Sequence, residues 1–259
     1  MLPSLFISHG SPMLALEPSP ARDFLAGLGT SLPRPQAIVV ASAHWDTPRP
    51  EISAVAANDT IHDFYGFPPA LYAIRYPAPG NPALAQRIGT LLQDAGLNAD
   101  FDATRGLDHG AWVPLSLMYP RHDIPVLQIS LQADLGPDHH LRLGQALAPL
   151  PREDVLVIGS GTFTHNLGRL RRTAPDAASL PDVVAFADWM DAALRQNRTD
   201  DLLAYREKAP YAVMQHPTDE HLLPLYVALG AAGEGAHATR LHASTRYGTL
   251  RMDAYAFSA

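Results

Sequence analysis

Two histidines follow short apolar runs and could together bind a metal ion. His9 comes directly after residues 5–8, and His44 comes after residues 37–43. Runs of this kind, bounded by Gly and Pro, are typical of buried strands whose next polar residue emerges at the carboxyl end. If the two strands lie side by side, both imidazoles reach the crevice where open α/β sheets bind ligands. Two neutral imidazoles with a third ligand and an open position make a catalytic transition-metal site.

A third strand end could supply a further imidazole. His165 follows the apolar segment 155–160 through the Gly-containing residues 159–162. This segment lacks the Lys of a P-loop and the third Gly of a dinucleotide fingerprint, so we do not expect a nucleotide site. His165 is therefore a candidate third imidazole at the same crevice.

His109 resembles His9 because a Gly follows it directly. Asp108 precedes it and could orient one nitrogen of the ring, as carboxylates do behind metal-bound histidines. A hydrogen bond that only shapes a loop is the alternative, since His and Asp often stabilise turns.

The segment 216–221 contains two imidazoles and two carboxylates. Thr218 is a credible cap for a helix running to about Leu229, which would place His221 in the first turn. A helix N-terminus keeps a nearby imidazole neutral and able to ligate, so His221 is the favoured ligand and Glu220 the alternative. The remaining histidines near charged, Gly-rich or edge positions are predicted to be solvated: His122, His139, His140, His237 and His242.

Apolar periodicity predicts alternating strands and helices. Strands are expected at 5–8, 37–43, 125–131 and 155–160, with terminal strands at 239–242 and within 247–257. Helices are expected at about 19–29, from Asn81 to Gly96, at 138–148 and at 182–196. This pattern indicates an α/β fold, a single domain with a mixed, mostly parallel central sheet flanked by helices.

Composition narrows the classes of function. The 259 residues are 47% apolar, which is enough for one sizeable core, and we expect one catalytic domain over residues 1–259. A formal charge of −7 offers no basic footprint for nucleic acid or anionic lipid. The absence of Cys excludes thiolate ligands and nucleophiles. Without a signal-like N-terminus or a long apolar run, the sequence predicts a soluble cytoplasmic protein.

Taken together, these motifs resemble a known family. The chain is similar over its whole length to the class III extradiol ring-cleaving dioxygenases, in the branch of the 4,5-DOPA dioxygenases. The resemblance is carried by Ser8–Met13, Pro33–Val40, Ser42–Trp45, Ile61–Phe64, Gly66–Pro68, Tyr76–Gly80, Asp108–Gly110, His165–Leu167, Pro217–Thr218 and Glu220–His221.

The resemblance implies a metal held by His9, His44 and His221. His165 would lie at the edge of the metal or act as acid and base. The wider superfamily uses two His and one carboxylate for iron, whereas His221 stands here where a Glu is expected. An all-nitrogen site prefers Zn(II) to Fe(II), so we expect Fe(II) as the working ion and Zn(II) as a plausible occupant of purified protein.

The implied reaction inserts both atoms of O2 into a catechol and opens the ring beside its two hydroxyls. His165 would accept a phenolic proton and later return one, which suits a group titrating near pH 7. His109 would stabilise negative charge on oxygen or hold the second hydroxyl. A further set is expected to form the substrate pocket and to clamp the ring: His62, Trp45, Phe64 and Tyr65.

Two other functions remain open at this stage. A zinc hydrolase could use Glu220 or His165 as base, although no H-E-x-x-H motif is present. A protein that stores metal or binds an aromatic ligand is the second. The expected partners are a small catechol, DOPA by resemblance, and O2, and a homodimer is plausible.

Overall fold

The computed structural model describes residues 1–170 and 174–259. Its strands are β1 Ser4–Ser8, β2 Ala37–Asp46, β3 Glu51–Ser53, β4 Asp100–Asp102, β5 Val126–Leu131, β6 Val155–Gly161, β7 His237–His242, β8 Thr245–Arg246, β9 Leu250–Arg251 and β10 Ala254–Ser258. Its α-helices are α1 Pro20–Ser31, α2 Pro69–Tyr72, α3 Pro82–Asp94, α4 His109–Met118, α5 Gly136–Ala146, α6 Pro181–Arg195, α7 Thr199–Leu203, α8 Tyr205–Lys208, α9 Ala212–Gln215 and α10 Leu223–Ala231. Short 3-10 helices cover Pro12–Ala15, Ala133–Leu135, Leu150–Glu153 and Leu167–Arg169.

One mixed sheet runs through the centre of the described chain, in the order β4-β3-β5-β2-β6-β1-β10-β7. The pairs β1/β6, β2/β6, β2/β5 and β3/β4 are parallel. The pairs β3/β5, β1/β10 and β10/β7 are antiparallel. The predicted α/β fold with a mixed, mostly parallel sheet is confirmed, and β8 and β9 form a separate hairpin.

The central strands of the sheet are buried on both faces. Phe6 packs in one hydrophobic cluster while its neighbours Leu5 and Ile7 pack in another. Because successive side chains of a strand point to opposite faces, this alternation places helices on both sides. Helices α1 and α4 cover one face, and α3, α5, α6 and α10 cover the other. Within the described residues, no helix has both the length and the apolar character needed to span a membrane.

The order of the central strands differs from one sequence expectation. Strands β1 and β2 do not lie side by side, because β6 pairs in parallel with both of them. All three strands still end at one edge of the sheet. Ser160 of β6 is level with Ile7 on one side and with Ser42 on the other. The crevice therefore forms around the end of β6.

The helices predicted at 19–29, 81–96, 138–148 and 182–196 are present, with bounds that shift by one or two residues. Helix α3 begins as its sequence indicates, because the Asn81 side chain accepts a hydrogen bond from the Leu84 N–H at 3.0 Å and a Pro follows the cap. The helix predicted from Thr218 to Leu229 is wrong at its start. Helix α10 begins only at Leu223, and the Thr218 hydroxyl donates to the carboxylate of Glu220.

The prediction that five histidines are solvated is wrong for His140, which is fully buried. Its Nδ1 donates to the carbonyl oxygen of Gly136 at 2.6 Å, and its Nε2 accepts from the N–H of Gln132 at 3.2 Å. Burial lowers the pKa of His140 to about 4. This neutral imidazole lies on the apolar face of α5, which packs into the core. The sequence prediction relied on the charged residues near His140 and therefore missed its burial.

This buried imidazole predicts a pH-dependent stability. Between pH 6.5 and 4 the unfolded chain binds a proton at His140 that the folded chain excludes, so the free energy of unfolding falls as pH falls. His140→Gln should reduce that slope by up to about 1.4 kcal/mol per pH unit. Urea unfolding of chelator-treated protein at several pH values measures this slope. His237→Gln, at an exposed position, is the control, and an equal reduction of the slope in that variant would contradict the assignment of the pH dependence to His140.

Candidate metal centre

Three imidazoles from distant parts of the chain meet at the end of the central strands. His9 follows β1, His44 lies near the end of β2, and His221 precedes α10. The ligand atoms of these three side chains lie within 4.8 Å of one another. The Nε2 atoms of His9 and His44 are 3.0 Å apart. The structure thus brings together the three histidines that the sequence analysis predicted as metal ligands.

The outer nitrogen of His9 has a defined hydrogen-bond partner. Its Nδ1 lies 3.0 Å from the hydroxyl oxygen of Ser160, and that hydroxyl donates to the carbonyl oxygen of Gly110 at 2.5 Å. Because a hydroxyl has a single proton to donate, Ser160 must accept from His9. His9 therefore carries its proton on Nδ1, and the lone pair of Nε2 faces the other imidazoles.

Carboxylates stand behind the other two rings. Nδ1 of His221 lies 3.0 Å from the carboxylate of Glu220, and Nδ1 of His44 lies 3.5 Å from that of Asp63. When the proton lies on Nδ1, the side that faces a carboxylate, Nε2 is the free ligand atom of each ring. Lone pairs of His9 and His44 at 3.0 Å repel unless a cation lies between them. The donor set therefore fits a divalent transition-metal ion with imidazole ligands.

Burial keeps these imidazoles neutral, as ligation requires. Desolvation, and after it the neighbouring imidazoles, hold the pKa of His9 well below its usual value. Burial is also the main cause that lowers the pKa of His44 to about 4 and that of His221 well below its usual range. Burial alone would raise the pKa of Glu220, but hydrogen bonds from His221 and Thr218 lower it to about 2.

Strand β6 positions His221 directly. The N–H of Thr162 donates to the carbonyl oxygen of His221 at 2.9 Å. A Cβ at Gly161 would overlap that same carbonyl oxygen, and one at Gly159 would overlap the carbonyl oxygen of Pro224. These glycines therefore allow the chain before α10 to approach the strand closely. Backbone contact, and not the first turn of a helix, holds this imidazole.

His109 is oriented by the carboxylate of Asp63, which the sequence analysis did not identify as a site residue. Its Nδ1 and its backbone N–H each lie 2.9 Å from an oxygen of Asp63. The same carboxylate lies beside His44, so it contacts two of the clustered rings. Burial alone would raise the pKa of Asp63, but the hydrogen bonds from His109 lower it to about 2.

Asp108 does not orient His109 as expected. It caps α4, accepting from the N–H of Ala111 at 3.2 Å and the hydroxyl of Ser42 at 2.7 Å. Its second oxygen accepts from Gln128 at 2.7 Å and Arg105 at 2.9 Å. Fully occupied by these donors, Asp108 fixes the start of α4 and thereby the place of His109.

His165 stacks on His221, with ring centroids 3.4 Å apart and an angle of 11° between the planes. It is not part of the group formed by His9, His44 and His221, and its ligand atom lies instead in a second group with those of Glu220 and His221. Burial lowers the pKa of His165 to about 4. The ring is therefore neutral near pH 7, whereas the sequence analysis expected it to titrate near pH 7.

A cavity of about 480 Å³ opens onto the imidazoles. Its described lining comprises Gly10, Ser11, Pro12, His44, Phe64, Phe67, His109, His165, Leu167, Leu170, His221, Tyr247 and Leu250. Of the expected pocket residues, Phe64 is among them. The structure does not bring the other three to the cavity wall.

Local contacts explain why these three residues do not line the cavity. Trp45 is buried beneath the guanidinium of Arg105, which lies 4.9 Å from its ring. Tyr65 is 92% exposed. Nε2 of His62 lies 3.1 Å from the carbonyl oxygen of Ile74, and its ring packs on Trp112 behind the cavity.

Three site residues escaped the sequence analysis: Asp63, Ser160 and Gly161. Asp63 directly follows His62 in an aromatic-rich motif, and a carboxylate beside a candidate imidazole was a usable signal. Ser160 and Gly161 lie at a strand end that was already singled out. Their partners are far away in sequence, so only the packed structure reveals their roles.

Comparison with known proteins covers almost the whole chain. Residues 3–257 match the family described as the catalytic LigB subunit of aromatic ring-opening dioxygenase. A 4,5-DOPA dioxygenase extradiol of Beta vulgaris is 46% identical over 99% of this chain and 96% of that protein. A 4,5-DOPA dioxygenase extradiol of Escherichia coli K12 is 41% identical over 89% of this chain and 85% of that protein.

A solved structure shares the fold. The crystal structure of an uncharacterized protein from Escherichia coli K12 superimposes with a TM-score of 0.82 at 33% identity, covering 100% of both chains.

The close approach at Gly161 predicts the effect of one added methyl group. Gly161→Ala should displace His221 and weaken metal binding at least about 10-fold, as loss of supporting contacts behind a ligand does. Zinc titration of the apo protein measures the affinity, and circular dichroism verifies folding. Gly27→Ala is the matched control, since a Cβ at that position of α1 meets open space. A folded Gly161→Ala variant with parental affinity would contradict this account.

Proposed function

The chain belongs to the LigB family of aromatic ring-opening dioxygenases, and on that basis we propose that it opens a substituted catechol similar to DOPA with Fe(II) as its working ion. The observation that carries this proposal is the set of three converging imidazoles, His9, His44 and His221, of which the last two line a largely apolar cavity. Such a site combines metal ligands with walls suited to an aromatic ring.

We assign the metal to His9, His44 and His221. Oxygen acceptors behind the rings keep each Nε2 available, and burial keeps the rings neutral. When bound, a ferrous ion would supply open coordination positions that bring the catechol oxygens and O2 together. Three nitrogen ligands favour Zn(II) over Fe(II) in affinity, so zinc is expected to compete.

We assign proton transfer to His165. Because burial lowers its pKa to about 4, the ring is neutral when substrate arrives and can accept a phenolic proton. It lies beside the ligand His221 but outside the ligand group, which leaves its ring nitrogens free for the substrate. The protonated ring, formed in a site that disfavours charge, would return that proton readily.

We assign His109 to the substrate oxygens. Its Nδ1 is committed to Asp63, so Nε2 is the atom that can face the cavity. The ring centroid lies 3.9 Å from that of His44, close enough to act on an oxygen bound beside this ligand. It would hold a catechol hydroxyl or stabilise negative charge that develops on oxygen.

The substrate class rests on the cavity and the relatives together. Phe64, Phe67 and Leu250 give the cavity an apolar wall, and its volume of about 480 Å³ exceeds the need of a bare catechol ring. The relatives from Beta vulgaris and Escherichia coli are 4,5-DOPA dioxygenases. We therefore propose a catechol with a polar side chain, with residues 1–259 acting as one catalytic domain. A homodimer and a cytoplasmic location stay predictions from the sequence.

Metal reconstitution tests the proposed reaction. The apo protein is loaded anaerobically with Fe(II) or Zn(II) and then mixed with O2 and either DOPA or 4-methylcatechol. We expect oxygen uptake and a yellow ring-opened product in the iron sample alone. If neither catechol gives oxygen uptake and the protein instead cleaves an ester or amide in a metal-dependent reaction, the proposal is contradicted and a zinc hydrolase is favoured.

Substitution of the imidazoles separates ligands from the proton carrier. His165→Ala should retain stoichiometric metal while kcat falls by about 10²- to 10⁴-fold, the usual contribution of a general base. His9→Ala should lose the metal itself. Metal content by mass spectrometry and kcat by oxygen electrode are the two readouts, with His237→Ala on the exposed strand β7 as the control. Loss of metal from His165→Ala would instead identify this residue as a ligand.

A further inference from the structure

The turn between β8 and β9 holds a tyrosine in an unfavourable backbone conformation. Tyr247 has a φ of +55° and Gly248 a φ of +65°, and the N–H of Thr249 donates to the carbonyl oxygen of Arg246 at 3.2 Å. Consecutive positive φ values are the pattern of a type I′ turn, in which Asn and Gly are strongly preferred at the first position. A bulky aromatic residue there is a genuine outlier.

The surrounding structure holds this turn in place. The N–H of Tyr247 donates to the carbonyl oxygen of Pro175 at 3.1 Å, and the N–H of Leu180 donates to that of Gly248 at 2.9 Å. The guanidinium of Arg246 lies 5.3 Å from the centre of the Tyr247 ring and pairs with Glu17 at 2.7 Å. The ring therefore has a rigid setting, which is what strained residues at binding sites require.

Tyr247 lines the cavity in front of the imidazoles. Apart from those imidazoles, the described lining residues with a hydrogen-bonding side chain are Ser11 and Tyr247. The Ser11 hydroxyl already accepts from the N–H of Met13 at 3.3 Å, as the cap of the helix Pro12–Ala15. Both hydroxyls keep a proton to donate, but the Ser11 hydroxyl is held against the backbone by its capping contact, whereas the phenol of Tyr247 ends a longer side chain and reaches farther from the backbone.

We infer that Tyr247 is a specificity-determining residue whose hydroxyl binds the polar side chain of the catechol. This inference deepens the proposed function and rests on it. A catechol whose oxygens approach the imidazoles occupies only part of the cavity, and its substituent extends into the rest. A phenol donates to a carboxylate such as that of DOPA, but it has no partner on a methyl group. The left-handed backbone at Tyr247 is retained because it places this ring in the cavity wall.

Removal of one hydroxyl tests the assignment. With the Fe(II)-loaded enzyme, kcat/KM is measured for DOPA and for 4-methylcatechol, and the ratio of the two values is compared between variants. Tyr247→Phe keeps the ring and the backbone, and we expect it to lower the ratio about 5-fold, as the loss of one hydrogen bond does. Tyr247→Asn suits the left-handed turn yet removes the ring, and it should lower the ratio at an unchanged or higher melting temperature.

Tyr211 provides a matched control. It is a second tyrosine with positive φ, +59°, but it is 53% exposed and precedes α9 away from the cavity lining. Tyr211→Phe should keep the parental ratio. A Tyr247→Phe ratio within twofold of the parent, in an active enzyme, overturns the role of Tyr247. An enzyme that opens neither catechol contradicts the proposed function itself, and this inference falls with it.

Discussion

Oxygen acceptors behind buried imidazoles are the constraint on which the site depends. Nδ1 of His9 faces Ser160, and Nδ1 of His221 faces Glu220. Desolvation alone would make each ring a neutral group with either nitrogen protonated. The acceptors select one tautomer, so the lone pairs converge where a metal ion can compensate their repulsion. Without these acceptors, three histidines in one crevice would be only a buried polar cluster.

The central position of β6 serves this arrangement. Its parallel neighbours β1 and β2 carry His9 and His44, and β6 itself leads to His165. Its last residues also hold the segment before α10, through Thr162 and the space left by Gly161. One strand therefore sets the distances among elements that are far apart in the chain. This explains why a strand end rich in small residues lies beside the clustered imidazoles.

The cavity combines a rigid polar end with apolar walls from loops. Phe64 and Phe67 come from the loop before α2, and Tyr247 comes from the hairpin turn. Loops tolerate changes of sequence that the buried strands cannot, because their side chains are not fixed by the sheet. The ring chemistry and the choice of substituent therefore depend on different parts of the molecule.

The sequence by itself determined the strands, the main helices and the histidines at strand ends, since these follow from local periodicity and chain breaks. It also indicated, through resemblance to a family, that His9, His44 and His221 hold a metal, and these three side chains do lie together in the structure. Tertiary structure decided what depends on packing between distant segments. Asp63 and not Asp108 orients His109, His140 is buried, and Trp45 and Tyr65 lie away from the cavity. A one-dimensional pattern tells which residues are polar, but only the packed chain determines which polar atoms are left facing one another.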